Sequence, residues 1–138
     1  DAEMMFTLRA TVEDDFTGLK KHVLDTIEKV IAKDASDMKL SVEYEWVEEF
    51  PITKNDKSCN EIVENAAVRS QLECEKICYP FRWSEDFGHF LGRYNGALFG
   101  IGSGTGHPAL HNPDYDFPDE LIHSGVNIFY HIYKSILK

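Results

Sequence analysis

Apolar and polar positions alternate along the chain in two different rhythms. Phe16, Leu19, Val23, Ile27, Val30 and Ile31 recur at steps of three and four. That spacing places one apolar stripe on a helix from about 15 to 33, with Asp14 or Asp15 as its cap. Leu40, Val42, Tyr44 and Trp46 instead alternate with Ser41, Glu43 and Glu45. A period of two predicts a strand with one apolar and one acidic face. The short β-prone run 4–10 predicts another strand. Strand, helix and strand within 50 residues describe a compact α+β unit whose open edge suits pairing with another subunit.

Pro51 and the polar stretch 53–58 mark a boundary. Beyond it, Ile62, Val63, Ala66 and Ala67 predict a helix over about 58–71. Residues 73–83 fit no single period; Ile77, Tyr79 and Phe81 allow a strand. Ser84 is placed to cap a short helix ending near Gly92, with Glu85 and Asp86 in its first turn, where the helix dipole favours acids. Residues 97–102 read as a buried strand. A glycine-rich loop follows, with Gly100, Gly102, Gly104 and Gly106 at alternate positions. It leads into a Pro/His-rich turn rather than a helix, which excludes a dinucleotide fingerprint. From Pro118 onward, Leu121, Ile122, Val126, Phe129, Ile132, Tyr133, Ile136 and Leu137 predict a closing amphipathic helix that packs on a sheet.

With 138 residues and 43% hydrophobic content, the chain can form a real core. A formal charge of −10 argues against nucleic acid and anionic membranes as partners. No apolar run reaches the length of a membrane span, and no signal-peptide pattern opens the chain. Cys59, Cys74 and Cys78 are odd in number and irregular in spacing, which fits reduced thiols and a cytoplasmic setting better than a disulfide framework. Position 1 is Asp rather than Met, directly ahead of a strand-like run, which points to a processed chain or a fragment.

Candidate chemistry concentrates between His107 and Glu120, which hold two histidines and four carboxylates in fourteen residues, and His111 is the strongest candidate among them. Imidazole nitrogen is a preferred zinc donor, and His111 sits among turn formers with Asp114 and Asp116 nearby as possible tautomer-fixing acceptors. The other reading is a loop histidine bonded only to its neighbours. A zinc site takes three or four protein ligands, so one histidine is not a site. His107, before Pro108, shapes the turn; His89 packs; His22, His123 and His131 lie on helices as ordinary surface or core residues. Glu85 and Asp86 are either site carboxylates or simple stabilisers of a helix start. Arg9, at the end of the first strand, matches a substrate carboxylate in bidentate fashion or makes a surface ion pair.

Three blocks occur in order: Ser84-Glu85-Asp86-Phe87, residues 97–104, and residues 110–120. Together they resemble the C-terminal part of the aminoacylase/carboxypeptidase family of zinc-dependent metallopeptidases, in the branch of hippurate and auxin-conjugate hydrolases. The resemblance implies an α/β fold. Residues 1–50 would be the second half of a lid or dimerisation domain, and residues 51–138 the last part of the catalytic domain. It implies His111 as a ligand of a two-zinc site, Arg9 with Gly102, Ser103 and Gly104 around the substrate carboxylate, and Glu85 and Asp86 as support. It further implies a homodimer acting on N-acyl amino acids or peptides. The remaining ligands and the catalytic glutamate would belong to a missing N-terminal piece, so the chain alone is expected to be inactive. A non-enzymatic dimerisation or regulatory module is the alternative.

Overall fold

The computed structural model describes residues 2–33, 40–81 and 86–137. Four helices occur among them: α1 (Glu13–Lys33), α2 (Lys57–Arg69), α3 (Phe87–Leu91) and α4 (Glu120–Ile136). No strand is formed among the described residues, so the expected α/β class is not what the structure shows. The three runs expected as strands, 4–10, 40–46 and 97–102, are irregular. The reason is physical: a strand exists through the ladder it shares with a neighbour. Met4, Met5 and Phe6, and Leu40, Val42 and Tyr44, all keep their side chains exposed. Their alternation is not matched by a backbone ladder among the described residues. The described part of the ambiguous stretch, 73–81, is likewise irregular. The Ser84 cap and Glu85 lie outside the described residues.

The chain divides into two units: residues 1–52 with 80–89, and residues 53–79 with 90–138. In the first, α1 opens two residues earlier than its apolar stripe suggests. Asp14 and Asp15 stand inside its first turn beside Glu13 rather than capping it, where negative charge complements the helix dipole. The Lys20 ammonium lies 5.6 Å from the Phe16 ring centroid and 4.9 Å from that of Trp46, and pairs with Glu49. The Trp46 face and the Glu49 carboxylate thus tie α1 to the segment 46–49, while Phe16 holds the ammonium from within the helix. Phe50 meets the ring of the exposed His89 edge-on, with centroids 6.4 Å apart. Gly88 is needed at its position, because a Cβ there would fall 2.3 Å from the Pro51 carbonyl oxygen.

In the second unit α2 and α4 pack together, burying Ala66 and Ala67 on one helix and Ile128 on the other. Small residues on α2 let the two backbones approach. Asp56 caps α2, its carboxylate accepting from the Cys59 N–H at 3.0 Å and from the Ser58 hydroxyl. These bonds hold the Asp56 carboxyl below its usual range, the Ser58 hydroxyl contributing most. A depressed folded pKa means the cap is complete above the ordinary carboxylate value, about 3.9, and is lost as pH falls through the folded value. Circular dichroism should therefore show an acid-induced loss of α2 helicity that Asp56→Asn removes. At the other end, Gln71 N–H donates to Val68 O and Leu72 N–H to Ala67 O, both at 3.0 Å. That is the Schellman ending, with Gln71 at φ 57 where glycine is preferred. Gln71→Gly is expected to raise the unfolding free energy in urea by roughly 1 kcal/mol, read as a higher midpoint at unchanged slope.

Candidate functional site

The glycine loop and the His111 turn are reached from a short tie in the second unit. Asp56 N–H donates to Gly96 O at 2.9 Å. The Asn55 amide then brackets Leu98: its Oδ1 accepts from Leu98 N–H at 2.8 Å and its Nδ2 donates to Leu98 O at 2.8 Å. Nδ2 also donates to Asn60 Oδ1 at 3.0 Å. One side chain thus does for residue 98 what a neighbouring strand would do. The Phe99 ring rests against Phe129 of α4 with centroids 5.7 Å apart, and Ile101 Cδ1 lies 3.5 Å from where a Cβ on Gly125 would stand. Residues 96–101 are thereby fixed between the start of α2 and the middle of α4.

Beyond this tie the backbone turns sharply. Gly104 has φ 91, a value that favours glycine. Asn112 N–H donates to Ala109 O, and Tyr115 N–H to Asn112 O, both at 3.0 Å, making two successive turns. His111 is the third residue of the first turn and has φ 72. Positive φ at that position alone defines a type II turn, where glycine is usual. Holding a histidine there costs on the order of 1 kcal/mol. The strain places an exposed imidazole at the crown of a tight turn. His111 makes no hydrogen bond with Asp114, Asp116 or any other described residue. His107 is exposed on the same loop.

Among the described residues, no three His, Cys, Asp or Glu side chains converge on a point that could hold a metal. His111 has the right chemistry for a ligand, and the ligand set of a metal is not complete within these residues. Cys59 does not add to it: burial, then the adjacent Asp56 carboxylate, push its thiol pKa up, which disfavours the thiolate a metal or electrophile needs. Gly102 is exposed and Ser103 half-buried on the loop before His111.

Arg9 and Asp86 belong to the first unit, His111 and the Gly102–Gly104 loop to the second. Arg9 is exposed in a groove of about 620 Å³ shared with Thr11, Asp14, Asp15, Gly18 and His22. It forms no ion pair with another described residue. Asp86 is exposed, and its carbonyl accepts from His89 N–H at 3.0 Å at the start of α3. In the sequence Asn55 is only one residue of the polar stretch 53–58. Its actual task, gripping a backbone 43 residues away, leaves no local signal.

The sequence model of Peptidase family M20/M25/M40 matches residues 5–135, nearly the whole chain. The chain belongs to this family. Its members are generally metal-dependent hydrolases. Among curated proteins, the chain is similar to the N-acetyldiaminopimelate deacetylases of Streptococcus pneumoniae strains Hungary19A-6 and CGSP14 and of serotype 2 strain D39. Each is 29% identical over 120 residues, covering 87% of this chain and 31% of the relative. The chain thus spans about a third of the length of the relatives it matches. No solved structure matches it. No helix among the described residues is long and apolar enough to cross a membrane.

Proposed function

We propose that this chain is the C-terminal part of a cytoplasmic, homodimeric zinc-dependent amidohydrolase that cleaves N-acyl amino acids or peptide amides. The observation that carries the reading is the strained turn that presents His111, in a chain matched by the hydrolase family over residues 5–135. A deacetylase of an N-acetylated amino acid among the relatives supports a small N-acyl substrate. His111 contributes one imidazole ligand, and the other ligands come from outside residues 1–138. Metal bound there supplies Lewis acidity toward the amide carbonyl. Arg9 in the first unit is suited to a bidentate grip on a substrate carboxylate, and the Gly102–Ser103–Gly104 loop in the second unit is suited to offer backbone N–H groups to such a group. Glu85 and Asp86 are assigned a supporting role, as the resemblance implies. Residues 1–50 serve as the second half of the dimerisation domain and residues 51–138 as the end of the catalytic domain.

The test compares the full-length protein with the 138-residue chain on a panel of N-acetyl amino acids. The full-length protein is expected to release acetate in a chelator-sensitive reaction, and the 138-residue chain to release none. Acetate release by the 138-residue chain would show that the site is complete within it. A full-length protein inert toward the whole panel would remove the substrate assignment.

A further inference from the structure

The segment that leads into the glycine loop is pinned on both sides of a single residue. Upstream, the chain leaves α3 with Arg93 N–H and Tyr94 N–H both donating to Phe90 O at 2.9 Å. Downstream, Gly96 O accepts from Asp56 N–H at 2.9 Å, and the Asn55 amide grips Leu98 just beyond it. Only Asn95 lies between these anchors. It is exposed, and its side-chain amide makes no hydrogen bond with another described residue. Its successor is glycine, whose backbone nitrogen can meet a neighbouring carbon with no Cβ in the way.

Asparagine is a chemically labile residue, and the chain holds six: Asn55, Asn60, Asn65, Asn95, Asn112 and Asn127. The structure sets Asn95 apart from the others. The Asn55 amide is committed to Leu98 and Asn60. Asn60, Asn65 and Asn127 stand within α2 and α4, where the helical backbone holds the nitrogen that follows each of them. Asn65 Nδ2 also donates to Glu61 O at 2.8 Å. Asn112 precedes Pro113, whose nitrogen carries no proton to give up.

We propose that Asn95–Gly96 is a site of spontaneous backbone modification that releases the segment 96–101 in one direction only. The deprotonated Gly96 nitrogen attacks Asn95 Cγ. An N–Cγ bond forms, the Cγ–Nδ2 bond breaks, and Nδ2 leaves as ammonia. The five-membered imide then takes up one water. Opening at the Cγ carbonyl returns the normal backbone with aspartate at position 95. Opening at the main-chain carbonyl leaves isoaspartate, with Cβ inserted into the backbone. The net change is asparagine plus water to aspartate or isoaspartate plus ammonia, and no redox partner is needed. One extra carbon–carbon bond lengthens the path by about 1.5 Å. With a single residue between the Tyr94 and Gly96 anchors, that length displaces the Gly96 carbonyl, and a hydrogen bond of 2.9 Å does not survive a shift of this size. Asp56 N–H then loses its acceptor. The residues that carry Leu98, Phe99 and Ile101 toward the His111 turn lose their first anchor. The inference rests on the geometry of the second unit and not on which reaction the protein catalyses.

The test incubates the folded full-length protein at mildly alkaline and at mildly acidic pH. Peptide mass spectrometry with electron-transfer fragmentation locates each conversion and tells isoaspartate from aspartate. Conversion at Asn95 is expected to be at least about 10-fold faster than at Asn55, Asn60, Asn65 or Asn127, since each of those must first break a hydrogen bond or a turn of helix. It should accelerate with pH, because the attacking nitrogen must lose its proton. The isoaspartate form, separated by chromatography, is expected to unfold at a lower urea midpoint than the parent. Asn95→Asp adds the charge without the extra carbon and should keep the parent's midpoint. Conversion spread evenly over the asparagines, or confined to protein unfolded in urea, would overturn the proposal. So would an isoaspartate form with the same midpoint as Asn95→Asp, because the length of the backbone at position 95 would then not matter.

Discussion

Alanine at position 111 of the full-length protein is expected to abolish hydrolysis and to release metal together. Loss of groups that merely orient a ligand typically costs 10- to 100-fold in metal affinity or activity. Loss of the ligand itself should exceed about 100-fold in kcat/KM, with no rescue by added substrate. Two controls separate ligation from loop damage. His107→Ala removes the neighbouring loop imidazole and should leave activity within a few-fold, on the order of what an exposed turn residue costs. His111→Gly relieves the φ 72 strain and should be at least as stable as the parent, yet equally inactive. A stable, inactive glycine variant separates the chemistry of the imidazole from the geometry of the turn. An active one would make His111 a turn residue.

The second large effect is expected at Asn55. Its half-buried amide makes three hydrogen bonds, and Asn55→Ala leaves the Leu98 N–H without its acceptor. Each buried group left unsatisfied costs about 1–3 kcal/mol, so a loss of roughly 2–4 kcal/mol is expected in urea unfolding. Asn55→Asp is more informative. It keeps the acceptor for Leu98 N–H but sets a carboxylate against the Leu98 carbonyl and Asn60 Oδ1. Those oxygens raise the carboxyl's folded pKa above its unfolded value. The variant should then be least stable at neutral pH and recover as pH falls through the raised folded pKa, because the protonated acid again donates. A pH-independent deficit would mean that the Leu98 tie does not depend on donation from residue 55.

The helices were legible because their signal is local. The stripe of α1, the Ile62–Ala67 pattern of α2 and the apolar spacing of α4 each lie within a few turns of one segment. The His111 turn was legible for the same reason, since Pro108, Asn112, Pro113 and Asp114 act on their immediate neighbours. The strands were not, because alternation at 40–46 states which side chains could share a face but not whether a second backbone pairs with it. The Leu98 tie was hidden for the opposite reason: it is a single side chain acting across 43 residues. A ligand role for His111 is what the resemblance implies, and its left-handed backbone could not be foreseen, since glycine rather than histidine is the residue that announces it.

The central claim is that His111 is a metal ligand of a hydrolase to which this chain contributes only part of the site. Metal content of the purified full-length protein, by inductively coupled plasma mass spectrometry, tests it most directly. The account predicts stoichiometric zinc in the parent and in His107→Ala, and loss of bound metal in His111→Ala. Full retention of metal in His111→Ala would contradict it.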